Sequence, residues 1–156
     1  MKIQRSWPFY LSFLIALFLQ IMPLPGFVIW LRPSWILLLM IFWQLQRPGS
    51  ISPLGIFALG ILWDLLTGTI LGAHGFALLI VLYVLTRVQR QLTIMPGTQQ
   101  AGFVLLFSLV NKVGLAIFQG MFGHWTSSVL FWFAALIDAG LWWWLWMLLS
   151  DLLIKA

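Results

Sequence analysis

Apolar residues fill most of the chain, and short clusters of proline, glycine and polar residues break them into six runs. The first covers about 8–22 and stops at Pro23-Leu24-Pro25-Gly26. The second, 34–46, follows Arg32-Pro33 and stops at Arg47-Pro48-Gly49. Ser52 and Pro53 read as the N-cap and first helical residue of the third run, 53–66. A turn from Thr67 to His74 leads into the fourth, 75–87. A polar stretch over 89–100, containing Met95-Pro96-Gly97, precedes the fifth, 101–122. Gly123-His124-Trp125-Thr126 turns the chain into the sixth, 127–149. Near-continuous hydrophobicity broken by turn residues predicts an all-α, polytopic membrane protein with six transmembrane helices and short loops.

Several runs fall below the ~20 residues that a bilayer crossing usually requires. The middle pair therefore has an alternative reading as a re-entrant hairpin, leaving four full spans. With six spans and both termini cytoplasmic, Lys2, Arg5, Arg47, Arg87, Arg90 and Lys155 lie inside, Arg32 lies outside and Lys112 is in mid-span. That is a positive-inside pattern. A re-entrant pair entering from the cytoplasm leaves the same charges inside, but it buries the apolar turn at mid-depth, where exposed backbone is costly. Six spans are the preferred reading. Trp7, Trp43, Trp142, Trp143, Trp144 and Trp146 then fall near the inner interface, and Trp30, Trp35, Trp63 and Trp125 near the outer one, as an aromatic belt.

Composition agrees. Of 156 residues 63% are hydrophobic and 7% charged, with no cysteine, and mean hydropathy is +1.06. Globular domains carry ~25% charged residues, so the chain is expected to form one integral membrane domain over residues 1–156. Without cysteine there is no disulfide, thiolate metal site or cysteine nucleophile. The net charge of +5 is placed at helix ends, where it suits topology and contact with anionic phospholipid rather than nucleic acid. Lys2 and Arg5 before an apolar run resemble a signal peptide, but no small-residue cleavage site follows, and the run is read as an uncleaved first span.

Two polar constellations interrupt the apolar runs. Asp64 stands four residues after Gly60 and four before Gly68, on one helical face, where glycines permit close helix approach. Across the turn, His74 lies at comparable depth as a candidate partner. Asp64 is either a structural cap of the turn or a group handling substrate or protons, the structural role being favoured. The second constellation is Lys112 and Asp138, each about thirteen residues from the turn near His124. An antiparallel hairpin puts them at one depth as a buried charge pair, with Asn111 and Gln119 as further hydrogen-bonding groups.

Catalysis finds no support. An aspartyl protease requires two adjacent carboxylates, whereas Asp64 and Asp138 differ in depth. No nucleophile elbow, phosphate loop, metal cluster or dinucleotide fingerprint occurs. No cofactor or metal is expected.

Residues 10–25 (YLSFLIALFLQIMPLP), 31–43 (LRPSWILLLMIFW) and 60–85 (GILWDLLTGTILGAHGFALLIVLYVL) resemble the MreD family of the bacterial rod-shape machinery. The likeness carries the family hairpin onto Asp64, Thr67-Gly68 and Leu71-Gly72. The last third, with Lys112 and Asp138, matches in hydrophobicity alone. The resemblance implies a non-enzymatic inner-membrane scaffold that binds MreC, a single-span protein with a periplasmic domain. Through it the scaffold connects to MreB, RodA and a class B penicillin-binding protein. It also implies a fold similar to the substrate-binding subunits of energy-coupling-factor transporters, and with it an alternative function as a small-solute-binding membrane subunit or carrier.

Overall fold

A computed structural model describes residues 7–23, 25–26, 32–124 and 129–154. Lys2, Arg5, Trp30, Trp125 and Lys155 lie outside the described residues. Six α-helices run in order: α1 (Trp7–Ile21), α2 (Trp35–Gln46), α3 (Pro53–Thr67), α4 (Ala73–Ile94), α5 (Gly97–Met121) and α6 (Val129–Leu149), the last continued by a π-helical turn at Ser150–Ile154. The described residues contain no strand. Consecutive helices α3 to α6 pack as antiparallel neighbours, and α1 packs on α2.

The core is built around α2. Every residue from Ile36 to Leu45 is buried, and the helix touches α1, α4, α5 and α6. A helix that is apolar all round has no face suited to water and is stable where neighbours cover every side. Leu78, Leu85, Phe107 and Trp142 close around it, each no more than 1% exposed.

Helix ends follow local chemistry. Ser52 caps α3 as its side chain accepts the Gly55 N–H (3.0 Å), with Pro53 at the first helical position. α4 runs past the expected boundary at 87 to Ile94. Its last turns hold Arg, Gln and Leu, which are good helix formers although they are mostly polar. Met95 takes an extended backbone (ψ 147°) before Pro96, as steric conflict with the proline ring requires. α5 therefore starts at Gly97 rather than at 101.

α4, α5 and α6 with its continuation are long and apolar enough to cross a membrane. α1, α2 and α3 have 15, 12 and 15 residues, or ~18–23 Å of helix, against a ~30 Å hydrocarbon core. Exposed apolar side chains such as Tyr10, Leu14 and Phe18 line one face of α1, as a helix bathed in acyl chains presents.

The tryptophans divide differently from a simple belt. Trp7, Trp143 and Trp144 are exposed, whereas Trp43 and Trp142 are buried in the core. Trp43 packs edge-on to Phe9 and Phe42 and donates from Nε1 to Ser12 Oγ (2.9 Å). Trp63 is also buried, against His74.

Candidate functional site

The α3–α4 turn is assembled around one carboxylate. Asp64 is fully buried in the last turn of α3, and the chain wraps back over it. Oδ1 accepts from Thr69 Oγ1 (2.9 Å) and Oδ2 from the Gly72 N–H (2.8 Å). His74 Nδ1 also meets Oδ1. The Asp64 carbonyl takes the Thr69 N–H (3.1 Å) and the Gly68 N–H. Removed from water, an acid needs such a set of donors to stay satisfied. His74 is in turn stacked on Trp63, with ring centroids 3.8 Å apart. Asp64, Thr67, Gly68, Leu71, Gly72 and His74 are thus one local unit. Thr67 Oγ1 donates back to the Trp63 carbonyl (2.8 Å), and Leu71 is exposed at the tip.

The glycines around Asp64 do different jobs. At Gly60 an added Cβ would stand 2.3 Å from Gly75 Cα, so α3 and α4 meet backbone to backbone there. Gly68 does not extend that contact. It ends α3 with φ +71°, and a Cβ on it would meet nothing within 4 Å. Gly72 starts α4 with φ +91°. These two carry the chain through left-handed conformations that cost other residues ~1–2 kcal/mol.

Lys112 and Asp138 are both buried, but they do not form the expected direct ion pair. Among the described residues the side-chain contact between a basic and an acidic group is His74 to Asp64. Asp138 Oδ1 instead accepts the Ser34 N–H (2.8 Å), and Oδ2 takes the Ser108 hydroxyl. The Trp35 N–H donates to Gln20 Oε1 (3.2 Å). Asp138 on α6 and Gln20 on α1 therefore satisfy the start of the buried helix α2, whose Ser34 side chain makes no cap bond of its own. A carboxylate at a helix N-terminus is also favoured by the helix dipole. Lys112 Nζ lies over the Phe131 ring, 4.5 Å from its centroid. Sequence reasoning did not find Ser34 and Ser108, because 104 and 30 residues separate them from Asp138. An unexplained acid in an apolar run was the available signal.

Between the two constellations lies a cavity of about 420 Å³. Its wall includes Arg32, Trp63, His74, Asn111, Lys112 and Phe131, and neither Asp64 nor Asp138 lines it. It sits at one end of the bundle, where α1, α3 and α5 finish and α2, α4 and α6 begin. The described residues hold no group of three or more His, Asp or Glu arranged to bind a metal. The arrangement sets a hydroxyl against each of the two buried acids, Thr69 on Asp64 and Ser108 on Asp138. It offers a braced turn, a braced helix start and a polar chamber between them.

No solved structure gives a significant match to the chain, so the likeness to energy-coupling-factor subunits rests on the sequence resemblance alone. The family model described as rod shape-determining protein MreD matches residues 1–153. A rod shape-determining protein MreD of Haemophilus influenzae is 30% identical over 97% of this chain and 94% of its own length. The match runs through the last third, where hydrophobicity alone had carried the likeness, and the chain belongs to the MreD family of rod shape-determining proteins.

Proposed function

We propose that the protein is a non-enzymatic, multi-pass scaffold of the bacterial inner membrane that binds MreC and thereby helps control peptidoglycan synthesis during elongation. MreB, RodA and a class B penicillin-binding protein are its indirect partners, and anionic phospholipid surrounds its basic helix ends. Family membership over nearly the whole chain carries this reading. The polar bonds described above support it, because the carboxylates that would serve chemistry are used in holding helices to one another. A protein made almost wholly of helices and short turns offers partners helix faces and turn tips rather than a soluble domain.

The test is co-purification in mild detergent with the MreC of the same organism. A stable complex is expected. Two well-folded proteins that elute apart would overturn the scaffold assignment.

A further inference from the structure

We infer that the cavity between the α3–α4 turn and α5 binds a phosphate ester that carries a hydroxyl donor, either as a lipid headgroup or as a small soluble molecule. Several observations converge on it. Two cations, Arg32 and Lys112, line the wall, and no acidic side chain does. Neither cation meets a carboxylate within 4.0 Å among the described residues. The oxygens of the two nearest acids are already taken, Asp64 by its own turn and Asp138 by Ser34 and Ser108.

Arg32 gives its terminal nitrogens to main-chain carbonyls, those of Gln20 and Met22 (2.6 Å for the latter). Its Nε is buried without a partner. Beside Lys112, Asn111 is 2% exposed and its Oδ1 has no hydrogen-bond partner. A buried ammonium with no carboxylate in contact, a half-buried guanidinium with an unpartnered Nε and a buried acceptor without a donor are each unfavourable. A guanidinium and an ammonium facing one chamber suit a phosphate, and the orphaned Asn111 oxygen calls for a hydroxyl on the same molecule.

Trp63, Leu115 and Phe131 supply apolar wall for the ligand's carbon atoms, and the volume lies in the range of small-molecule sites. With the N-terminus inside, this end of the bundle is the outer one. A headgroup from the outer leaflet or a soluble ester from outside has access there. Such binding is independent of MreC, and its failure leaves the scaffold assignment untouched.

Full-length protein in a neutral detergent would be titrated with sn-glycerol 3-phosphate, against glycerol, and followed by thermal unfolding. In parallel it would be challenged with phosphatidylglycerol, against phosphatidylcholine, and read by native mass spectrometry. At least one anionic probe is expected to bind above its control, and Lys112→Met is expected to weaken it tenfold or more while Lys112→Arg retains it. Binding of the lipid alone identifies a headgroup as the source; binding of both identifies a site open to soluble esters. If Lys112→Met does not fold, Leu115→Trp, which narrows the chamber without changing charge, carries the same expected loss. Failure of both anionic probes to exceed their controls overturns the inference. So does equal binding by wild type and a folded Lys112→Met or Leu115→Trp variant, which would mark general attraction to basic surface.

Discussion

At the scale of single residues, Gly60 and Gly68 look interchangeable in sequence, one helical turn either side of Asp64, yet their structural demands differ. Gly60 is small because Gly75 of the neighbouring helix touches it; Gly68 is glycine because of its dihedral angle. Gly60→Ala forces two backbones apart, an overpacking cost of ~1–3 kcal/mol that spreads along the α3–α4 contact. Gly68→Ala meets open space and costs only the local ~1–2 kcal/mol of a left-handed residue. The expected outcome is a larger fall in detergent melting temperature for Gly60→Ala, with α3–α4 packing lost. In Gly68→Ala the helices should stay in contact. Equal effects with intact packing in both would contradict the close approach. Asp64 itself was legible as a buried acid and His74 as its neighbour across the turn. The role of Asp64 as a cap of the turn was legible as well, and the structure supplies the particular donor, the Gly72 N–H, which side-chain chemistry does not single out.

Among the elements, α2 has the largest gap between what the sequence suggests and what holds it. Its boundaries, expected at 34–46 and found at Trp35–Gln46, follow from Pro33 and Pro48. Its position at the centre of the bundle was not legible, since every run in the chain is apolar and periodicity has little contrast to work with. Nor was its cap. Asp138 invited pairing with Lys112 because they share a depth in a hairpin, but the nearest unsatisfied donors belonged to the α2 start, which only the three-dimensional packing brings to α6. Asp138→Leu should therefore leave the Ser34 N–H and the Ser108 hydroxyl unsatisfied, at roughly 1–3 kcal/mol for each buried donor. Hydrogen exchange should rise first in the opening turn of α2. Lys112→Leu, by contrast, should leave that turn protected. If both variants loosen the α2 start equally, the acid acts through Lys112 after all, and the direct ion pair would have to be restored to the account.

For the whole molecule, the open question is how helices of such unequal length sit in one bilayer. α4, α5 and the extended α6 are long and apolar enough to cross it, whereas α1, α2 and α3 are shorter than the hydrocarbon thickness. Short helices are tolerated where neighbours cover their ends and polar backbone groups have partners. Two of these ends meet that condition: Gln20 and Asp138 satisfy the start of α2, and Asp64 satisfies the turn after α3. The polar braces thus allow a bundle with three short members, and the α3–α4 turn emerges at the end opposite Ser50. The chain has no cysteine, so single replacements can report each end. Leu71→Cys, at an exposed turn tip, should react with a membrane-impermeant maleimide added to spheroplasts, whereas Ser50→Cys should react only after lysis. The reverse pattern would invert the bundle and put the phosphate-binding chamber on the cytoplasmic side. Protection of Leu71→Cys both before and after lysis would make α3 and α4 a buried re-entrant pair. In that case the Asp64 bonds would be what keeps the backbone of a non-helical turn satisfied at membrane depth.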